Sequence, residues 1–417
     1  MTSADNNDYS ISVDRIQIGL YVHLDLGWMD HPFTFNNFKI KDSKEIDEIK
    51  KLGLKTVVWE PARSDVEPLP ERSETDNESA ETLSAKPKTP PAEDGYKRYS
   101  DLRNSIKAVE KAYSKTSTES ENILKNIKVS PASVVTDAGQ LINGMLDSMS
   151  NASDLALQMV SGTAIRQTIS THSLNVTVIA IAFAQSMGLS EKQKQLIGTG
   201  SLLHDVGLTQ LPERFIKNMG PLSSTELAMR KHHCNDGVKL AKSAALPKEL
   251  LEIIQNHHEY YDGSGYPSGI KGSAIPQAVQ IVSLVDFYER LCSPINLREY
   301  VTAHDAISLL YRRYKNLFEA NLLQSFIRFM GVYPPGSIVS LSDERIAIVI
   351  KVFQSSPLRP MLMVYDEDIP KNEAIMLDLR ENKSINIKRA INPSVLSTAI
   401  SNYLSPQERV NYYFDND

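Results

Sequence analysis

Of the nine histidines in this 417-residue chain, six, at 172, 204, 232, 233, 257 and 258, fall within the 87 residues from 172 to 258. Imidazole and carboxylate are the ligands that suit Zn, Fe(II), Mn and Ni, and the two cysteines, Cys234 and Cys292, offer no paired thiolates for a structural zinc site. The candidate ligands are His172, His204, Asp205, His233, His257, His258 and Asp286. That is more than one tetrahedral ion requires, which points to two metals with Asp205 as the bridging carboxylate. Two ions about 3.5 to 4 Å apart would hold a hydroxide and clamp a phosphoryl oxygen for in-line phosphoester hydrolysis. Each residue also has a plainer reading. His172, amid Val176 and Ile179, fits a core histidine, and adjacent His pairs arise on surfaces by chance. Asp286 resists it, because a lone carboxylate between Val285 and Phe287 costs several kcal/mol unless a cation meets it. His23, His31 and His304 lie outside the cluster and have no assigned role.

These residues need helix ends and helix faces to bring them together. The pattern predicts a helix over Thr171–Met187. Ser190 with Gln193 forms a capping box that opens a second, running to His204-Asp205 and stopped by Gly207; Ser223 with Glu226 opens a third, ending near Cys234. Pro247 opens a fourth, with Leu250, Ile253, Ile254 and His257 on one face, and Pro276 a fifth, with Val279, Val282 and Asp286 on one face. His204-Asp205 and His257-His258-Glu259 would then meet at one cleft from two helix ends. The expected fold is mainly α.

Around that helical domain, assigned to 161–330, the chain divides by composition. Residues 9–60 alternate apolar and polar, then give the capping pair Asp42 and Glu45, Gly53 as a stop and a strand at Lys55–Glu60, a small α+β module. Residues 61–95 hold six prolines, nine acidic and four basic residues and no aromatic, as expected of a disordered acidic linker. Residues 96–160 read as a helical connector, its first helix an exposed spacer. Residues 331–417 read as a β-rich segment, with strands at Ile338–Leu341, Arg345–Phe353 and Met361–Tyr365 and a last helix at about 393–404. A net charge of −6 with 45 basic and 51 acidic residues excludes the basic field a nucleic acid polymer selects. No stretch approaches the roughly 20 apolar residues of a membrane span. The start lacks a secretory pattern, so a cytoplasmic location is expected.

Leu203-His-Asp-Val-Gly207 and His257-His-Glu-Tyr-Tyr-Asp-Gly-Ser-Gly-Tyr-Pro267 together closely resemble the HD-GYP family, the HD-domain metal phosphohydrolases that open the bacterial second messenger cyclic di-GMP. The resemblance covers roughly Ser161 to Glu299. The flanks, with Ile18-Gly-Leu-Tyr-Val22 and the segment from Gly331, are similar to a companion module of unknown role and a β-rich tail. It implies an HD-type helical bundle and a ligand set of His172, His204, Asp205, His233 with Gly237, His257, His258 and Asp286, leaving His232 as a bystander. It implies His204 and Asp205 as catalytic, and two divalent ions, Fe or Mn ahead of Zn or Ni. It further implies that Gly263, Gly265 and Tyr266 help hold a cyclic dinucleotide, and that the Gly265-Tyr266-Pro267 surface contacts diguanylate cyclase domains. A homodimer is compatible with such a chain.

Three departures matter, two of them in the substrate clamp. Leu208 stands where the family usually has Lys after His-Asp-x-Gly, and Ile295 replaces the first of a later basic pair, leaving Arg298. No carboxylate precedes His172 between Ser161 and Thr171, so two metals are expected, not three. Charge-assisted contacts contribute roughly 1.5 to 3 kcal/mol each. The rival expectation is therefore a weakly active or inactive signalling regulator that binds metals and partners without efficient turnover.

Overall fold

The computed structural model describes residues 9–24, 33, 37–52, 54, 56–69, 97–98, 100–149, 168–212, 223–293 and 301–404, in two compact units, Met1–Glu93 and Asp94–Asp417. In the first unit, strands β1 (Ser10–Ser12), β2 (Tyr21–His23), β3 (Asn37–Lys39) and β4 (Thr56–Trp59) form an antiparallel sheet in the order β1-β4-β2-β3, with helix α1 (Ser43–Lys51). Asp42 accepts the Glu45 N–H (3.0 Å), and Glu45 reaches back to the Lys41 N–H (2.7 Å), so the expected cap forms with its return bond one residue earlier. Gly53 lies outside the described residues.

The linker expectation needs correction at its start. Residues 61–69 are held to the module by the Leu69 N–H on Arg15 O (2.9 Å), the Asp65 N–H on Gly19 O (2.9 Å) and Lys39 on Asp65 (2.7 Å). Backbone pairing at these residues outweighs their polar composition. Residues 70–96 lie outside the described residues.

The second unit is built around helices α2 (Ser100–Asn126), α3 (Pro131–Met149), α4 (Ile169–Ser186), α5 (Glu191–Leu203), α6 (Ser224–Lys231), α7 (His233–Ser243), α8 (Lys248–Asn256), α9 (Gln277–Cys292), α10 (Ala303–Arg312) and α11 (Ala320–Met330). Capping boxes open α5 at Ser190 and Gln193 and α6 at Ser223 and Glu226, while Pro247 and Pro276 precede α8 and α9. Helix α4 is buried without a break from His172 to Ala184, the mark of a helix enclosed on all sides. Its core includes the edge-to-face pairs Phe183–Phe326 (5.1 Å) and Phe326–Tyr288 (5.4 Å).

Two expectations change here. Helix α2 is no exposed spacer: Ile123 and Leu124, with Ile127 just past its end, join the main core, and the Tyr113 hydroxyl donates to Asn175 on α4 (2.8 Å). Its sparse apolar positions are enough because they share one stripe. The third predicted helix, expected to end near Cys234, ends at Lys231, and an unforeseen helix α7 follows from His233 after a break at His232, whose N–H is shared between Ala228 O (3.2 Å) and Met229 O (3.1 Å). That tightened turn leaves His232 exposed and sends His233 inward.

The β-rich segment forms an antiparallel sheet in the order β10-β6-β7-β8-β9-β5. Its strands are β5 (Lys97–Arg98), β6 (Ile338–Leu341), β7 (Ile346–Lys351), β8 (Met361–Val364), β9 (Ile375–Asp378) and β10 (Ile387–Ile391). Ile348, Met363 and Met376 pack on one face with Leu404 of helix α12 (Thr398–Leu404), and Val349, Leu362 and Leu377 on the other. Burial on both faces is why these strands read as continuous apolar runs. His304 stacks on Tyr333 (4.8 Å) and its Nδ1–H donates to Val332 O (2.7 Å), a structural role at the junction of helices and sheet.

Candidate metal centre

Helix α5 ends at Leu203, and the chain turns through His204 and Asp205 into a 3-10 turn at Val206–Gln210. Gly207 is needed there for close approach: a β-carbon would run into the His233 carbonyl oxygen and lie 2.6 Å from the Gly237 nitrogen. This presses the Asp205 turn onto α7, which carries His233. His257 and His258 follow the end of α8, His172 lies in the first turns of α4, and Asp286 lies mid-way along α9. All seven predicted ligands are buried and come together.

They form two groups, Asp205 with His233, His257 and His258, and His172 with His204 and Asp286, the ligand atoms within each lying within 4.8 Å of one another. Asp205 touches both. Its Oδ1 lies 3.1 Å from His233 Nε2 and 3.5 Å from His257 Nε2. Its Oδ2 lies 3.5 Å from His204 Nε2 and 3.6 Å from His172 Nε2. Asp286 Oδ1 is 2.9 Å from His172 Nε2 and 3.4 Å from His204 Nε2.

The hydrogen bonds behind the rings fix which nitrogen faces inward. Nδ1–H of His204 donates to Ser201 O (2.6 Å), of His233 to Arg230 O (2.6 Å), of His257 to Ile254 O (3.0 Å), and of His172 to the Glu289 carboxylate (2.6 Å). A carbonyl or carboxylate can only accept, so in the neutral rings each Nε2 carries a bare lone pair. These lone pairs face each other, at 3.2 Å between His172 and His204 and 3.2 Å between His233 and His257, and they face Asp205. Asp205 Oδ1, fully buried, receives no hydrogen bond among the described residues. Acceptor packed against acceptor calls for positive charge, which a metal ion or a proton on His204 can supply. Ligands held at about 2.0 to 2.2 Å from one ion stand roughly 3.0 to 3.5 Å apart, which matches these separations. The residues fit two divalent ions sharing Asp205.

Burial would raise the Asp205 and Asp286 pKa values, but Arg290 and the facing histidines outweigh it and hold both well below the usual carboxylate range. Burial alone would lower His204; the Asp205 and Asp286 carboxylates reverse this and push it up to about 10. Burial dominates at His257, lowered to about 4 against the pull of Asp205, and at His258, which burial and the neighbouring His257 hold well below the usual imidazole value.

Sequence reasoning missed Arg290, whose guanidinium bonds both aspartates, and the chain Tyr113–Asn175–Glu289–His172, in which Asn175 donates to Glu289 (2.9 Å). The signal for Glu289 is the one used for Asp286, an acid inside an apolar helix, three residues further along α9.

The glycine loop is shaped as expected. Gly263 has φ +83°, and a β-carbon on Gly265 would meet the backbone of Glu259 and Tyr260 at 2.5 Å. Buried Glu259 fastens the loop by accepting the Ser268 (2.6 Å) and Gly269 (3.0 Å) N–H groups. Half-buried Tyr266 packs on His258 (4.7 Å between rings), with the Lys231 ammonium 5.0 Å from its ring. Leu208 is buried, so no cation stands at that position. Arg298 and Ile295 lie outside the described residues. His232, paired with Asp236 at 3.4 Å, faces solvent away from the centre.

Residues 9–138 match the family described as a domain of unknown function, DUF3391, residues 148–322 the HD domain, and residues 338–399 a KOW domain associated with HD domain. The chain is 23% identical over 358 residues, 85% of its length and 84% of the relative's, to the cyclic di-GMP phosphodiesterase PA4108 of Pseudomonas aeruginosa. It is 31% identical over 154 residues to the cyclic di-GMP phosphodiesterase response regulator RpfG of Xanthomonas campestris, covering 36% of this chain and 40% of that one. Among solved structures, Bd1817 of Bdellovibrio bacteriovorus, an HD-GYP-type protein, aligns with a TM-score of 0.43 at 18% identity over 76% of this chain and 97% of that chain. The chain carries an HD domain, with a DUF3391 domain ahead of it and a KOW domain associated with HD domain after it. It is a phosphodiesterase.

Proposed function

We propose that this chain is a cytoplasmic, metal-dependent phosphodiesterase that opens cyclic di-GMP to linear pGpG, and onward to GMP. The observation that carries it is Asp205, whose two oxygens each face a pair of inward-turned imidazole nitrogens. When bound, two ions, Fe or Mn ahead of Zn or Ni, would supply Lewis acidity at the phosphoryl oxygens and a nucleophile at neutral pH. The chain's own residues do the rest. His172, His204 and Asp286 would hold one ion and His233, His257 and His258 the other, with Asp205 as the shared ligand. Asp205 stays ionised through the physiological range because Arg290 and His204 outweigh its burial. Gly263 and Gly265 let the loop approach the centre, where Tyr266 presents a flat ring to a base or ribose. Lys231 and Arg298 supply positive charge for the phosphates that Leu208 does not.

The test is incubation of the Mn- or Fe-loaded protein with cyclic di-GMP under anaerobic conditions, with products separated by chromatography. Linear product is expected from wild type and none from Asp205→Ala; no linear product from micromolar wild-type enzyme over hours would sink the reading.

Buried Leu208 favours a second reading, a metal-binding regulator with slow turnover that acts through exposed Pro267 and half-buried Tyr266 on diguanylate cyclase partners. It requires Tyr266→Ala to abolish signalling while Asp205→Ala leaves it intact. The phosphodiesterase reading requires Asp205→Ala alone to abolish it.

A further inference from the structure

Arg290 stands four residues beyond Asp286 on α9, and its guanidinium is bonded to both aspartates of the centre. Nε donates to Asp286 Oδ1 (2.8 Å) and Oδ2 (2.9 Å), and Nη2 donates to Asp205 Oδ2 (2.8 Å). Asp286 Oδ1 and Asp205 Oδ2 are the oxygens that face His172 and His204. Asp205 Oδ1, on the side of His233 and His257, receives no such donor. A charge-assisted fork and a divalent ion would draw on the same lone pairs, and two cations at contact distance repel.

We propose that Arg290 competes with a divalent ion for the His172–His204–Asp286 group, so that the two halves of the centre load unequally, the Asp205–His233–His257–His258 group first. The inference rests on the two-ion reading above. The guanidinium has somewhere to go: the Arg290 side chain is 32% exposed, whereas Asp205 and Asp286 are 1% and 3% exposed. An ion entering the second group turns the fork outward, toward the mouth where Lys231 lies over Tyr266. Arg290 is a positioning residue in this account, since it acts through the carboxylates.

The experiment is calorimetric titration of Mn2+ into full-length protein stripped with a chelator, comparing wild type with Arg290→Ala and Arg290→Lys. Wild type is expected to show two steps whose Kd values differ by about tenfold or more. Arg290→Ala should tighten the weaker step by about tenfold and leave the tighter one within about twofold. Arg290→Lys keeps the charge but loses the fork, so the weaker step should tighten by about threefold. If circular dichroism shows that Arg290→Ala does not fold, the Lys variant decides. A weaker step unchanged in the folded variants overturns the competition while leaving the two-ion reading in place. A single step, or none, in wild type overturns the two-ion reading itself.

Discussion

The Asp205–His233–His257–His258 group and the His172–His204–Asp286 group use the same side-chain types, yet they are built differently. In the first, three imidazoles crowd at ring distances of 4.1 Å for His257–His258, 5.2 Å for His233–His257 and 5.2 Å for His233–His258, with one carboxylate oxygen that receives no hydrogen bond. In the second, Arg290 engages the carboxylates from one side and Glu289 anchors His172 from the other. The difference teaches that equal ligand chemistry does not give equal sites. One group has little positive charge from the protein, and the other is already partly compensated.

The largest expected effect comes from removing what the groups share. Asp205→Ala should lower bound Mn2+ below two per chain and cut phosphodiester turnover by about a thousandfold or more, read by metal analysis and product chromatography. Two ions per chain in that variant would contradict a bridging Asp205.

The pH dependence of the chelator-treated protein separates the groups next. The folded-state pKa of His257 is lowered from 6.5 to about 4, so as pH falls the unfolded chain takes the proton first. Its stabilising contribution is full above pH 6.5 and lost between there and about 4, by up to about 3 kcal/mol. His204 is raised from 6.5 to about 10, so its contribution is full below pH 6.5 and lost as pH rises toward 10. Urea unfolding from acid to alkaline pH should show a maximum near pH 6.5, and a flat profile would count against both assignments.

Glu289→Gln sharpens the comparison further. It weakens the support behind His172 alone, so the affinity of the second group for Mn2+ should fall by about 10- to 100-fold, with the first group within about twofold. Equal losses in both steps of a calorimetric titration would mean that the groups are not separable. The smallest effect belongs to Tyr113→Phe, which leaves Asn175 Oδ1 without its donor from α2 and should cost about 1 kcal/mol in urea unfolding.

The ligands were legible in the chain because they sit at punctuated places. Ser190, Ser223, Pro247 and Pro276 mark helix starts that the structure keeps, and those starts put His204, His233, His257 and Asp286 at turn ends or on inner faces. Arg290 was not legible, because a basic residue near the end of a helix reads equally well as a solvated edge and only the neighbouring helices decide, whereas Glu289 carries the same signal as Asp286. Helix α2 was misjudged because three core positions among many polar ones are weak periodicity, though sufficient packing. Strands β9 and β10 escaped notice for a similar reason, since Ile387-Lys-Arg-Ala-Ile391 alternates poorly and pairs with β6 only through tertiary context.

The ring bonds to Ser201 O, Arg230 O and Ile254 O have a further meaning for the backbone. Those carbonyls belong to the last turns of α5, α6 and α8, where backbone N–H partners run short. The histidine rings therefore act as C-terminal caps, His204 on α5, His233 on α6 and His257 on α8. Three helix C-termini, each with a partial negative charge, converge on one point and add to the field of the aspartates. Replacing a ligand by alanine then frays a helix end as well as removing a nitrogen, and asparagine is the gentler substitution for separating the two.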